Sequence, residues 1–283
     1  MLKNKISAYF RLMRFHKPIG ILLFVWPPLW ALWIAGQGKP QLKYVIIFIL
    51  GAIIMRSAGC VINDIADRKF DKFVKRTAMR PLTTGEISLR EAIILFSILL
   101  ILALILVLQL NLFSIVLAVI TLILSCLYPF TKRWISCPQL FLGLAVATSV
   151  PMAFAAELNH LTLTCGLIYL IALIWPVMYD TQYAMVDRED DLKINIKSTA
   201  ILFGKYDVLI ISLLQILILI LLMILGLILK SGLNYFLISI LGSAVLFLVQ
   251  YYLISDRNPD RCFKAFMNNQ WVGLVILLGI VLM

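Results

Sequence analysis

Residues 92–131 contain no charged side chain, and this stretch is about twice as long as one membrane-crossing helix. Similar stretches recur along the chain, since 63% of its 283 residues are hydrophobic. A water-soluble domain would need far more polar surface. The sequence therefore predicts an all-α, polytopic membrane protein with a single transmembrane domain over 1–283. A crossing helix needs roughly 20 apolar residues, and we expect nine of them, at 19–36, 43–62, 91–109, 112–129, 138–156, 161–181, 207–229, 233–254 and 267–283.

Basic residues are unevenly distributed between these spans. The chain has 25 Lys and Arg against 14 Asp and Glu, and cytoplasmic loops of membrane proteins carry such an excess. With a cytoplasmic N-terminus, segments 1–18, 63–90, 130–137, 182–206 and 255–266 hold 21 of the 25. We therefore expect these segments on the cytoplasmic side, and we expect no nucleic-acid partner. Segment 1–18 is predicted to form an amphipathic interfacial helix, with a short soluble connection as the alternative.

The five cysteines show no CxxC spacing, which favours reduced structural thiols. With only His16 and His160 in the chain, any metal ion is expected to be bound by oxygen ligands.

Two helix ends carry related acidic strings. Asn63 and Asp67 are four residues apart, as are Asp187 and Asp191, and Asp71 extends the first series by four. Residues at this spacing share one helix face, so their oxygens converge and favour a hard cation such as Mg²⁺. Lys and Arg residues crowd the same loops, which favours a metal–diphosphate site over a simple cation site. The alternative is a pair of solvated loops, 63–90 and 182–206, with scattered ion pairs.

The two acidic strings also indicate an internal repeat. Arg56, Asn63 and Asp67 have the same spacing as Asp180, Asp187 and Asp191, at an offset of 124 residues. This predicts two four-helix halves plus one helix, with the two series facing each other. Arg56 and Asp180 are costly inside a span unless they are paired, and we expect them to form a structural ion pair. Snorkelling or separate partners are the alternatives.

Several motifs resemble the UbiA-type intramembrane prenyltransferases. The first run contains Asn63, Asp67, Phe70, Asp71, Val74, Arg76, Thr77, Arg80 and Gly85. The second run, residues 179–191, is similar to the second aspartate motif of that family. Residues 17–20, 26–33 and 197–200 resemble the 4-hydroxybenzoate polyprenyltransferase branch. One departure is Asn195, where this branch is expected to carry glycine; asparagine tolerates a positive φ better than most residues.

The resemblance implies nine helices around a central cavity and Mg²⁺ as the cofactor. It implies metal binding by residues matching Asn63, Asp67, Asp71, Asp187 and Asp191, of which we expect the four aspartates to be catalytic. We expect the diphosphate to be bound by Arg68, Lys75, Arg76, Lys132 and Lys193. Arg133 matches a position for the carboxylate of the aromatic substrate. From the residues alone, its guanidinium would also suit a diphosphate, and a purely topogenic role for Lys132 and Arg133 is the alternative.

The implied reaction moves a polyprenyl group from a polyprenyl diphosphate to 4-hydroxybenzoate, at the carbon ortho to the hydroxyl, early in ubiquinone biosynthesis. Asp187, Asp191 or the released diphosphate could remove the ring proton, and Tyr128, Tyr179 and Tyr183 could steady an allylic cation. The alternatives are other aromatic acceptors (dihydroxynaphthoate, homogentisate or haem) and, from another class, a secondary transporter. We expect a bacterial inner-membrane location, because the 18 residues before the first span contain no transit-peptide extension. No obligate protein partner is inferred.

Overall fold

The structure of the chain, a computed structural model, describes residues 2–68, 71–73 and 77–283. Every regular element in this part of the chain is helical, which confirms the predicted all-α class. The α-helices are α1 (Leu2–Leu12), α2 (Ile19–Ala35), α3 (Leu42–Asp67), α4 (Leu89–Val107), α5 (Leu112–Thr131), α6 (Pro138–Ala147), α7 (Ser149–Leu158), α8 (Leu163–Lys193), α9 (Thr199–Phe203), α10 (Asp207–Ile228), α11 (Leu233–Tyr235), α12 (Gly242–Ile254) and α13 (Pro259–Val281). A π-helical turn, Phe236–Leu241, joins α11 to α12.

Polar residues between the apolar stretches determine where the helices begin. Ser88 and Glu91 form a capping box at the start of α4, in which each side chain bonds the backbone of the other. Asn111 caps α5 by accepting a hydrogen bond from the backbone N–H of Ser114 at 2.9 Å. The long uncharged stretch therefore divides at residues 109–111, as predicted. The last helix begins earlier than expected, because Asn258 caps it and a proline occupies its first position.

Eight helical segments of the described chain are long and apolar enough to cross a membrane: α3, α4, α5, α6–α7, α8, α9–α10, α11–α12 and α13. The helix α2 has 17 residues and is shorter than these. Every expected span overlaps one of these helices, while the count of nine crossings stays a prediction. Large apolar side chains such as Ile98, Ile101 and Ile105 are exposed along α4, as they are when lipid is the solvent. The chain is thus a multi-pass membrane protein.

The long helix α8 lies at the centre of the fold. On one side, Trp175 packs on Trp30 of α2, with 5.1 Å between ring centroids. Further along α8, Gln182 donates a hydrogen bond to Gln250 of α12 at 3.0 Å and accepts one from Asn269 of α13 at 2.9 Å. All three side-chain amides are buried. These hydrogen bonds satisfy the polar groups within the bundle. They hold one face of α8 against α12 and α13. The opposite face of α8 lines the cavity described below.

The N-terminal segment forms the expected helix, α1. Ala8 and Leu12 are buried against α3 and α4, while Phe10 is exposed. Ion pairs from Lys5 to Glu91 and from Arg11 to Glu86 join α1 to the start of α4 and the turn before it. The segment is therefore docked on α4 and on α3, which carries the first acidic string, and its interfacial position remains a prediction.

Candidate active site

The two acidic strings line one cavity of ≈ 750 Å³. Asn63, Asp67 and Asp71 reach it from the end of α3 and the 3₁₀ turn Asp71–Phe73, and Asp187 and Asp191 reach it from the last turns of α8. The Nδ2 of Asn63 donates to Oδ2 of Asp67 at 3.2 Å, so the two residues share one helix face. The structure thus brings together all five oxygen-bearing residues that the sequence singles out.

Basic side chains separate the carboxylates of the first string. Nη1 of Arg80 lies 2.8 Å from Asp71 and 2.9 Å from Asp64. Nζ of Lys132 lies 3.5 Å from Asp67 and donates to Oδ1 of Asn63 at 3.3 Å. These contacts offset the repulsion between carboxylates that share a low-dielectric site.

Burial is the largest influence on the pKa of Asp71 and raises it above its usual value. The Arg80 guanidinium opposes this rise, and the neighbouring charges of Asp64 and Asp67 add to it. A divalent cation bound there would oppose the rise in the pKa of Asp71, as the Arg80 guanidinium does.

Three of the predicted basic ligands do not line the cavity. Arg68 is exposed, and Lys193 is exposed and lies 3.2 Å from Asp190. Arg133 is also exposed and donates to the backbone carbonyl of Ala66 at 2.6 Å. Their predicted binding roles stay predictions, whereas Lys132 does line the cavity. Lys75 and Arg76 lie outside the described residues.

The predicted ion pair between Arg56 and Asp180 is wrong. Nη1 of Arg56 donates to the carbonyl of Met13 at 3.2 Å and to Sγ of Cys60 at 2.7 Å. Asp180 instead accepts a 3.4 Å hydrogen bond from the hydroxyl of Tyr128. Equivalent positions in a sequence repeat place two residues at similar depth, but packing decides which way a long side chain turns. Both residues line the cavity.

Asp64 and Arg14 have roles that the sequence did not predict. Asp64 is 1% exposed and accepts hydrogen bonds at 2.9 and 3.0 Å from the guanidinium of Arg14, which follows α1. With Arg80 it forms a buried cluster at the cavity mouth. Asp64 lies next to Asn63 within the first acidic string, but Arg14 is 50 residues away in the chain, in a basic segment whose charges are expected to set the membrane orientation.

The departure at position 195 is accommodated by backbone geometry. Asn195 has a φ of +54°, the left-handed conformation that glycine adopts freely and asparagine tolerates. This confirms the expectation for the loop. The same loop carries Lys197 and Ser198, which line the cavity.

The far part of the cavity is apolar. It runs along α4 and α5 past Leu104, Val107, Ile115 and Leu122. Aromatic side chains also line the cavity; they are Tyr128, Tyr179, Tyr183 and Phe266, and the ring centroid of Phe266 is 4.9 Å from that of Tyr183. One cavity thus joins a charged end to a long apolar end.

A helical membrane bundle with such a cavity is suited to an enzyme that acts on a diphosphate joined to an apolar chain. The chain belongs to the UbiA prenyltransferase family, whose pattern matches residues 24–274.

Its curated relatives cover almost its whole length. A 4-hydroxybenzoate octaprenyltransferase of Coxiella burnetii (strain CbuK_Q154) is 51% identical over 282 residues, which are 99% of this chain and 98% of the relative. A protein of the same name from Salmonella paratyphi B is 51% identical over 98% of this chain and 96% of its own.

Solved structures share the fold. An apo UbiA homolog from Aeropyrum pernix K1 superposes with a TM-score of 0.80 at 23% identity, over 92% of this chain and 96% of that chain. A UbiA homolog from Archaeoglobus fulgidus, bound to GPP and Mg²⁺, gives a TM-score of 0.74 at 20% identity, over 95% and 99% of the two chains.

Proposed function

We propose that this protein transfers a polyprenyl group from a polyprenyl diphosphate to 4-hydroxybenzoate, at the ring carbon ortho to the hydroxyl, in a Mg²⁺-dependent early step of ubiquinone biosynthesis. The observation that carries the proposal is the single cavity with an acidic, cation-rich mouth and an apolar interior. An isoprenoid diphosphate has the same division of charged head and apolar tail. Two relatives of 51% identity, both named for this activity, support the choice of acceptor.

The residues at the mouth fit Mg²⁺. The described residues contain no cluster of three or more His, Cys, Asp or Glu side chains that would form an all-protein metal cage. Mg²⁺ does not need one, since it keeps water molecules and takes one or two carboxylates together with phosphate oxygens. Asn63, Asp67 and Asp71 on one wall and Asp187 and Asp191 on the other would hold it. Bound there, it would neutralise negative charge on the leaving diphosphate.

The chain's own cations bind the rest of the diphosphate in this proposal. Arg80 and Lys132 lie among the acidic residues, and Arg14 and Lys197 also line the cavity. Guanidinium groups bind phosphate oxygens in a bidentate manner, so Arg14 and Arg80 orient the head group. The apolar walls of α4 and α5 exclude water from the tail and from the developing allylic cation, which the tyrosine π faces stabilise.

The carboxylate of the acceptor acid needs a positive group of its own, separate from the cations that bind the diphosphate. Arg56 lines the same cavity. Its contacts within the described residues are with a backbone carbonyl and a thiol, and neither is a carboxylate. We propose that Arg56 binds the carboxylate of the acceptor, with Arg133 as the family-derived alternative. Replacing Arg56 by lysine should raise the KM for the acid without changing that for the diphosphate, because lysine keeps the charge but loses bidentate binding.

The cytoplasmic side of a bacterial inner membrane is the proposed location of the mouth. The basis is the distribution of Lys and Arg, since 21 of 25 lie in segments that this orientation makes cytoplasmic. Cysteine accessibility labelling in intact cells tests it: a cysteine introduced at Ser231, between α10 and α11, should react with an impermeant reagent, and one introduced at Asp260 should not.

The activity is tested with membranes that contain the chain, Mg²⁺, octaprenyl diphosphate and 4-hydroxybenzoate. The expected product is the prenylated acid, identified by mass, and dihydroxynaphthoate or homogentisate should give none. Asp67→Asn and Asp187→Asn should each lower the rate by on the order of 100-fold or more, since each removes a carboxylate that would hold the Mg²⁺ needed to neutralise the leaving diphosphate. Asp260→Asn, on the exposed first turn of α13, is the matched control and should retain the wild-type rate. Product from another acceptor alone would refute the proposed substrate.

A further inference from the structure

Asp180 is a carboxylate deep in the cavity that has no cation within ion-pair distance among the described residues. It lies on α8 about two turns before Asp187, enclosed by protein, and its accessible surface faces the cavity. It contacts the hydroxyl of Tyr128, at 3.4 Å, and the side-chain amide of Gln139. Lys132 acts on it through space but forms its ion pair with Asp67.

Such a carboxylate is costly inside a membrane protein. Removing an ion from water costs several kcal/mol unless a partner offsets it, and ionisable groups within spans mark functional sites. The internal cation that the sequence offers, Arg56, makes its contacts elsewhere. The energetic cost of Asp180 is therefore not offset by a structural ion pair.

The contacts of Asp180 hold it without adding positive charge. Oε1 of Gln139 accepts a hydrogen bond from the backbone N–H of Thr199 at 3.0 Å, which leaves the amide NH₂ group of Gln139 free to donate toward Asp180. Tyr128 donates from the next wall of the cavity. Two neutral donors fix the carboxylate in place, whereas a lysine or arginine would lower its basicity.

The other acidic side chains of the cavity form ion pairs with arginine or are proposed to bind Mg²⁺. Asp64 is bonded to two guanidinium groups, and Asp67, Asp71, Asp187 and Asp191 are the proposed Mg²⁺ ligands. A carboxylate that binds a cation is a weak base. Of the described carboxylates that line the cavity, Asp180 is the one that neither the diphosphate site nor an ion pair uses.

We propose that Asp180 is the catalytic base that receives the proton displaced from the aromatic ring, an assignment that rests on the proposed function. The C–O bond between the prenyl group and the diphosphate breaks, and its electron pair leaves with the diphosphate. The ring carbon ortho to the hydroxyl forms the new C–C bond with the prenyl C1. The ring C–H bond then breaks, its electron pair restores aromaticity, and the proton passes to a carboxylate oxygen of Asp180.

The test compares wild type with Asp180→Asn, an isosteric change that removes the base. General-base catalysis contributes roughly 10²–10⁴-fold, so kcat should fall by at least about 100-fold while the KM values for both substrates change little. The decisive readout uses 4-hydroxybenzoate deuterated at both carbons ortho to the hydroxyl. In Asp180→Asn, ring deprotonation becomes slow, and a primary isotope effect on kcat should appear that is larger than that of the wild type. Asp180→Glu, which restores a carboxylate, should recover part of the rate.

Two controls keep the test specific. Asp260→Asn, an exposed Asp-to-Asn change, should have the kcat and isotope effect of the wild type. Thermal unfolding in detergent shows whether Asp180→Asn is folded; a variant that is inactive only because it is unfolded would show a lower active fraction with an unchanged isotope effect. That outcome, or a kcat within about twofold of the wild type, overturns the assignment. If the wild type itself forms no prenylated acid, the proposed function fails instead.

Discussion

Removing the Asp64 carboxylate should lower the free energy of unfolding, because it leaves two arginine side chains at the cavity mouth without their partner. Asp64 is 1% exposed and binds Arg14 at 2.9 and 3.0 Å and Arg80 at 2.9 Å. Loss of one member of a buried ionic cluster costs about 3–5 kcal/mol, because the remaining charges stay unpaired. The side chains of Arg14 and Arg80 are 15% and 14% exposed. Water from the cavity therefore reaches them, and the lower value, roughly 3 kcal/mol, applies.

Thermal unfolding of Asp64→Ala in detergent measures this effect. In a chain of about this size, 1 kcal/mol shifts Tm by about 2–4 °C, so a fall of about 6–12 °C is expected. Asp256→Ala is the control, since Asp256 forms an exposed surface pair with Arg261 and should leave Tm unchanged.

A double-mutant cycle then tests the contact itself. Arg14→Met alone and together with Asp64→Ala should give a coupling energy of about 1–2 kcal/mol, typical of side chains in direct ionic contact. A Tm for Asp64→Ala within about 2 °C of the wild type, or additive effects in the cycle, would refute the reasoning that this cluster anchors the N-terminal segment to the site.

Three further predictions concern the loop, the helix packing and the metal. Asn195→Val should destabilise the protein by about 1–2 kcal/mol and lower activity, because a β-branched residue is strained at φ +54°, whereas Asn195→Gly should fold as the wild type does in the same melting assay. Gly143→Ala should cost about 1–3 kcal/mol, since a Cβ there would lie 2.5 Å from the carbonyl oxygen of Leu173 and force α6 away from α8; Gly166→Ala, where the Cβ meets open space, should leave Tm unchanged or raise it slightly. Chelation with EDTA should abolish prenyl transfer, added Mg²⁺ should restore it, and a normal rate in EDTA would remove the metal from the mechanism.

Much of the architecture could be predicted because the bilayer imposes a local rule. Each backbone polar group in hydrocarbon must be satisfied within its own helix, so the length of an apolar stretch predicts a span without knowledge of its neighbours. The split at residues 109–111 follows from the same local rule, because a capping asparagine is read from the sequence. The shared face of Asn63 and Asp67 likewise depends only on helical periodicity.

The side chains that complete the site could not be predicted in this way. Arg14 binds Asp64 across 50 residues of sequence, and Arg133 contacts the carbonyl of Ala66 rather than the cavity. Long basic side chains have several rotatable bonds, so sequence position limits their reach but does not select their partner. Which basic residues turn inward depends on how α1, α3 and the loop before α4 pack together.

The sequence by itself therefore determined the class of protein, the helical spans and the residues that could hold a metal ion, because these depend on solvent and periodicity within one helix. The repeat in the sequence predicted that the two acidic strings face each other, but only the tertiary structure decided which side chains line their shared cavity, that Arg56 and Asp180 do not pair, and that Asp64 joins Arg14 to Arg80. Those facts depend on distances between separate helices, which packing sets and which no single segment encodes.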